Sequence, residues 1–187
     1  ILFTLAQALP SGEENETKIF YSADASQKII LFGLGEKEKW HNRKFQILAR
    51  RITRFAKNEK IAEFTAILKK DFGETKAAVS SFATNALAAD FEFNKYKEKP
   101  KKGWPEIKNV FLAVDKKYIK EAEESVTEGV VIGEEINFCR ELANTPGGDI
   151  TPRVLAEEAK KAADKNKISI KILDEKEMQK IGMGGIL

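Results

Sequence analysis

Cysteine and histidine are almost missing from these 187 residues, which hold one of each, Cys139 and His41. A single cysteine cannot close a disulfide within the chain, so a small secreted scaffold stapled by bridges is excluded and a reducing cytoplasm fits best. A zinc site made of Cys and His ligands is excluded too, because it needs several such side chains at fixed spacing. Cys139, beside Phe138 in a helical stretch, has no second histidine to activate it and reads as a small core filler. His41 follows Trp40 at a helix start and reads as a surface or capping-region residue rather than a catalytic base.

An excess of one charge is also lacking. With 32 Lys and Arg against 29 Asp and Glu, the net charge of +3 creates no overall field that calls for a polyanionic partner, so any basic feature must be local. No apolar run approaches the roughly 20 residues that a membrane helix needs. The apolar start, with Ala6-Gln7-Ala8, has the outward form of a signal-peptide cleavage site. It lacks an initiator Met and a basic segment, and an apolar run this short suits a strand. The missing Met and the abrupt end at Gly184-Gly185-Ile186-Leu187 read as a piece of a longer protein.

What is present is enough for a core: 42% of the residues are apolar and 33% are charged with mixed sign, so the chain should fold as one ordinary domain plus a remnant. Strands are expected at residues 1–8, 18–21, 28–34 (KIILFGL), 61–68, 107–114 and 168–173. The unalternated runs at 28–34 and 107–114 predict strands with both faces mostly covered. Helices are expected at 40–57, 74–95, 117–144, from Pro152 to about 166 with Thr151 as N-cap, and at 175–181. Gly129 and Gly133 lie one turn apart in the long helix. Glycine weakens a helix, so a close backbone crossing is the expected compensation. Strand and helix alternate throughout, which predicts an α/β fold with a mixed sheet between helix layers.

Three features invite a chemical reading. Gly33-Leu34-Gly35 follows a strand and precedes a helix, as a dinucleotide loop does, but Glu38 stands where the third glycine belongs, and glycines closing a buried strand explain it better. The carboxylate pairs Glu13/Glu14, Glu123/Glu124 and Glu157/Glu158 lie among lysines and read as solvated faces. The helix at 40–57 sets Arg43, Arg50, Arg54 and Lys57 opposite its apolar face, with Lys44 and Arg51 beside them. That arc could track phosphates; a solvent-facing helix surface is the plainer reading.

Residues 137–152 read NFCRELANTPGGDITP, an Asn-x-Pro followed by a Thr-Pro helix start after a long helix. This is similar to the segment by which leucyl (cytosol) aminopeptidases pass from their amino-terminal domain into the catalytic one. The resemblance extends to LAEEAKKAA at 155–163 and IKILDEKEMQKIGMGGIL at 170–187, with Gly182, Met183, Gly184 and Gly185 as a turn signature. Upstream it extends to LFGLGEKEKW and NALAADFEFNKYK, and it is loose over residues 1–27.

The resemblance implies a macro-domain-like amino-terminal domain at residues 1–146, and a junction with a short remnant of the catalytic domain at 147–187. It implies a parent that removes amino-terminal residues from peptides with two divalent metals, manganese or zinc, in a cytoplasmic hexamer. The family's VGKG, FDSGG and NTDAEGR motifs do not occur here, so no catalytic, cofactor or metal residue carries over. The chain is thus expected to be a non-catalytic structural and assembly domain, a monomer or weak dimer by itself, with its own catalytic domain and the hexamer as partners in the parent. The alternative is a nucleic-acid-binding module using the basic helix 43–57.

Overall fold

A computed structural model describes residues 2–4, 13–22, 27–68 and 72–186, the first three as backbone alone. The remaining parts of the first expected strand, residues 1 and 5–8, lie outside the described residues, as do residues 69–71. By the density of its contacts the chain divides into two compact units, residues 1–139 and 140–187.

Among the described residues the first unit is a five-stranded mixed sheet with its helices. The strands are β1 (Leu2–Thr4), β2 (Thr17–Tyr21), β3 (Lys28–Phe32), β4 (Glu63–Ile67) and β5 (Asn109–Ala113), in the order β2-β3-β1-β4-β5. Only β2 is antiparallel to its neighbour, pairing Ile19 with Ile30; β1, β3, β4 and β5 run parallel. The parallel connections run through α1 (Asn42–Asn58) and α2 (Thr75–Asp90), as a strand-helix-strand crossover requires.

Strand alternation decides which side chains meet those helices. Ile30 and Phe32 of β3 and Phe64 and Ala66 of β4 are buried in one cluster with Phe45, Leu48 and Ile52 of α1 and Val79 and Phe82 of α2. Aromatic edges lock it, with Phe32 and Phe55 at 5.8 Å and Phe45 and Phe72 at 5.4 Å between ring centres. The other face of the sheet is open at β5: Phe111 is 54% exposed, and β5 alternates where a strand covered on both faces was expected. β5 is also last in the sheet, where one flank has no neighbour among the described residues.

α2 stops at Asp90, short of the expected 95, where the Lys57 ammonium donates to the Asp90 carbonyl and supplies a partner that the next helical turn would otherwise provide. α3 (Ile119–Asn144) follows a 3-10 turn at Lys116–Tyr118. It buries only a stripe of small residues, Ala122, Ser125, Gly129 and Gly133. A methyl group on Gly129 would stand 2.4 Å from the Ser80 carbonyl oxygen, and one on Gly133 would stand 2.8 Å from Leu87 Cδ1. The expected close crossing is therefore there, against α2. Thr84 Oγ1 donates to the Gly129 carbonyl at 3.0 Å and Asn137 Nδ2 to the Leu87 carbonyl at 3.0 Å, stitching the two helices where they touch.

The second unit holds α4 (Pro152–Lys165) and α5 (Glu175–Lys180). Thr151 caps α4 by accepting from Val154 N, with Pro152 in the first turn, and Asp174 and Glu177 form a reciprocal capping box on α5. Residues 168–173 are not the strand their alternation predicts: no described strand pairs with them, and Ile168, Ile170 and Ile172 stay exposed. Alternation sets which way side chains point; the ladder still needs a neighbour.

The crossing gives a test with a sign opposite to propensity. In an exposed helix Gly→Ala stabilises by up to about 1 kcal/mol. Gly129→Ala should instead destabilise by about 1–3 kcal/mol in a urea titration, as overpacking does. Gly147→Ala, where an added methyl meets nothing within 4 Å, should stay within about 0.5 kcal/mol of the parent.

Candidate functional site

The basic arc of α1 is the one local charge feature singled out from sequence, and the structure treats its six cations differently. Arg43 and Arg54 are exposed. They sit 11 residues apart, about 16 Å along the axis at 1.5 Å per residue, and within one face. Lys44 reaches Glu14, Nζ to Oε2 at 2.6 Å. That hydrogen bond, outweighing the effect of burial, holds the Glu14 carboxyl below the usual glutamate range.

Arg50 Nε donates to Asn85 Oδ1 at 2.7 Å, while Asn85 Nδ2 donates to the Ser81 carbonyl at 2.8 Å. Asn85 is buried, so its amide needs both partners. Arg51 forks onto Asn15, donating to Oδ1 at 2.8 Å and to the carbonyl at 2.9 Å, with its guanidinium 5.6 Å from the Phe32 ring centre. Burial pulls the Arg51 pKa down, with Glu14 opposing it.

Lys57 is buried at 9% exposure, with its Nζ 3.0 Å from Asp90 Oδ1 and 3.3 Å from Glu92 Oε1. Its hydrocarbon stem lies on the packed side of α1 and its charge closes the carboxyl ends of α1 and α2 together. Asn15, Asn85, Asp90 and Glu92 are the partners that sequence reasoning missed. They stand 33 to 36 residues away from the cations they bind, so no helical spacing signals them.

The glycine pair at 33 and 35 closes a strand, as the plainer reading has it. Gly33 N donates to the Glu16 carbonyl at 2.9 Å, and a methyl group there would stand 2.0 Å from the Glu13 carbonyl oxygen. Gly35 takes a φ of +70°. The cavity at this loop, lined by Glu14, Gly33 and Arg51 among others, is about 30 Å³, room for a water and not for a dinucleotide. His41 is the N-cap residue of α1 and makes no side-chain cap bond. Cys139 is exposed, not a core filler, because it lies off the narrow stripe that α3 buries. Among the described residues no three His, Cys, Asp or Glu side chains converge as a metal site, so these residues do not fit a divalent metal and no hydrolytic step is assigned to them. No described helix is long and apolar enough to cross a membrane.

A mixed α/β unit with a closely crossed terminal helix, followed by the opening elements of a second unit, is the setting in which the comparisons fall. Residues 4–100 match the profile of the cytosol aminopeptidase family, N-terminal domain, and residues 137–187 match that of the same family's catalytic domain. The chain belongs to the cytosol aminopeptidase family. It is 29% identical over 155 residues to a probable cytosol aminopeptidase of Aquifex aeolicus, covering 83% of this chain and 30% of that one. To a probable cytosol aminopeptidase of Persephonella marina it is 32% identical over 165 residues, covering 85% and 32%. The chain thus spans about a third of these relatives' length.

Among solved structures its fold is similar to a tomato leucine aminopeptidase mutant, with a TM-score of 0.76 at 23% identity over 91% of this chain and 34% of that one. It is also similar to the bottromycin maturation enzyme BotP in complex with Mn, with a TM-score of 0.79 at 16% identity over 99% and 41%.

The Lys57 clasp carries a pH dependence. A hydrogen bond from Asn94 Nδ2, 3.0 Å from Glu92 Oε2, and then the Lys57 charge hold the Glu92 carboxyl below its ordinary range. A carboxylate lowered in the folded state contributes stability that is complete above the ordinary glutamate range and is lost as pH falls through the lowered value. Glu92 is 41% exposed on its side chain, so that contribution is discounted to at most about 1 kcal/mol. Thermal melts between about pH 6 and pH 3 should show Glu92→Gln less stable than the parent at the upper end, with the two curves converging on acidification. A gap that stays constant with pH would remove Glu92 from the account.

Proposed function

We propose that this chain is the non-catalytic amino-terminal part of a metal-dependent aminopeptidase, followed by the opening of its catalytic domain, and that its role is structural and in assembly. The observation that carries this reading is the second unit's surface. Within the match to the catalytic-domain profile, Ile168, Ile170, Ile172, Ile181 and Ile186 are 41–66% exposed, far more apolar side chain than a self-sufficient unit of 48 residues leaves to water. Two divalent metals, manganese or zinc, and the groups that hold them belong to the part of the relatives that this chain does not span. Cytoplasmic location and a hexameric parent are part of the same proposal, with this chain by itself a monomer or weak dimer. The purified chain should release no product from leucyl p-nitroanilide with manganese or zinc added. The same chain extended through the rest of the catalytic domain should turn it over. Chelator-sensitive turnover by the unextended chain would sink the reading.

The boundary proposed with it lies between residues 146 and 147. It is supported by the end of α3 at Asn144 and by the exposed turn closed by Asp149 N and Ile150 N on the Pro146 carbonyl at 2.8 and 2.9 Å. Limited proteolysis should cut first within residues 144–151. First cuts inside 28–114 would move the boundary.

The nucleic-acid reading of the basic helix draws less support. Lys57 is buried in its carboxylate clasp, and Lys44, Arg50 and Arg51 hold the chain's own groups. Arg43 and Arg54 remain, and two phosphate contacts give only a shallow dependence of binding on salt.

A further inference from the structure

The two ends of the sheet are not alike. At one end β2, Thr17–Tyr21, carries a lysine within the strand, Lys18, ion-paired with Glu16 at 3.1 Å, which is a usual guard against strand addition. At the other end β5 reads Asn-Val-Phe-Leu-Ala, with no proline and no charge. Asn109 N donates to the Ala62 carbonyl at 3.3 Å and the Ala113 carbonyl accepts from Leu68 N at 2.9 Å, so the odd residues of β5 bond to β4. The main-chain N–H and C=O groups of Val110 and Leu112 therefore point to the open flank, where the sheet has no further described strand.

Beside that flank runs an apolar groove of about 740 Å³ between β5, α2 and α3. Val110 and Leu112 line it from the strand, and Ile119, Val126 and Val130 from α3. Its charges have a direction. Lys108 lines it just before β5 begins, and Glu123 lines it one turn into the helix that follows the end of β5. Asp90, also on its wall, is paired with Lys57.

We propose that this edge and groove bind an extended peptide of about five residues as a sixth strand, antiparallel to β5. Main-chain bonds to Val110 and Leu112 supply affinity, and apolar side chains at alternate positions enter the groove, the arrangement by which strand-addition sites combine backbone pairing with pockets. Antiparallel is the direction the charges select: the peptide's ammonium end lies toward Glu123 and its carboxylate end toward Lys108. The groove volume is within the range of sites that take small ligands. This site does not rest on the peptidase role, since it needs only the first unit, and a catalytically silent chain would still bind.

The test uses the full chain and the hexapeptide Val-Ser-Leu-Ser-Val-Ser with both termini free, read by calorimetry and by amide hydrogen exchange. Saturable binding should slow exchange at Val110 and Leu112, whose N–H groups face a flank with no described strand. The same peptide methylated on its backbone nitrogens should bind at least about tenfold more weakly. Val126→Asp, in the groove but 36% exposed, should weaken binding by a similar factor, while Val131→Asp, 54% exposed and not lining the groove, should leave it within about twofold. Circular dichroism checks that both variants fold. Binding indifferent to N-methylation and to Val126→Asp would overturn the proposal. So would protection of Val110 and Leu112 that grows with protein concentration in the absence of peptide, since the occupant would then be a second copy of this chain.

Discussion

The closeness of α3 to α2 is the constraint that decides what α3 buries and the groove it leaves beside β5. Two missing side chains, at Gly129 and Gly133, let the helices approach until a methyl group would meet the Ser80 carbonyl at 2.4 Å. At that distance no large residue fits between them, so the contact face of α3 is limited to Ala122, Ser125 and the two glycines. A 26-residue helix that buries so little must leave its larger apolar residues elsewhere. Val126 and Val130 turn into the groove beside β5, and Val131 and Ile132 face solvent. The same narrowness leaves Cys139 exposed, whereas a wider apolar face would have buried it.

Periodicity made α1, α2, β3 and β4 legible because each of them buries one face. The apolar arc of α1 was visible as Phe45, Leu48, Ala49 and Ile52, and those residues are the ones that meet Ile30 and Phe64. The glycine spacing in α3 announced a close crossing without saying against which helix. What sequence could not carry was the identity of a distant partner. The alternating isoleucines at 168–173 have a strand's pattern, but a strand is a relation between two segments and the second is not among the described residues. β5 was misread as covered on both faces for a related reason: its run of apolar residues does not encode whether another layer packs over the face that holds Phe111.

The candidate site shows the same limit in electrostatic form. Helical spacing groups six cations on one arc of α1, yet spacing cannot tell a solvated charge from one engaged by the fold, and Lys57, expected opposite the apolar face, is buried. Lys57 falls on the edge of the apolar face, where a long stem can be buried while its ammonium finds Asp90 and Glu92. Arg51 is drawn down onto Asn15 and the Phe32 ring, closing the turn that in turn holds Gly33. These arginine and lysine contacts tie α1 to residues 13–17 and to the end of α2, so the charges that looked available for phosphate are in large part the means by which the first unit is held together.

That use of charge also explains why the two sheet edges differ. Around β2 the local polar groups are abundant: Glu14 holds Lys44, Asn15 holds Arg51, and Glu16 holds Lys18. Of these only the Lys18–Glu16 pair involves the strand itself, where a charged side chain disfavours strand addition. β5 itself carries no charged side chain; Asn109 bonds to Glu63 on the neighbouring strand, Lys108 and Asp115 lie outside the strand, and the Asp90–Lys57 pair is on the groove wall. Backbone groups at Val110 and Leu112 with apolar walls beside them form the cheaper edge to extend. The asymmetry arises from where the charged residues lie, and among the described strands it favours β5 over β2 as the edge to extend.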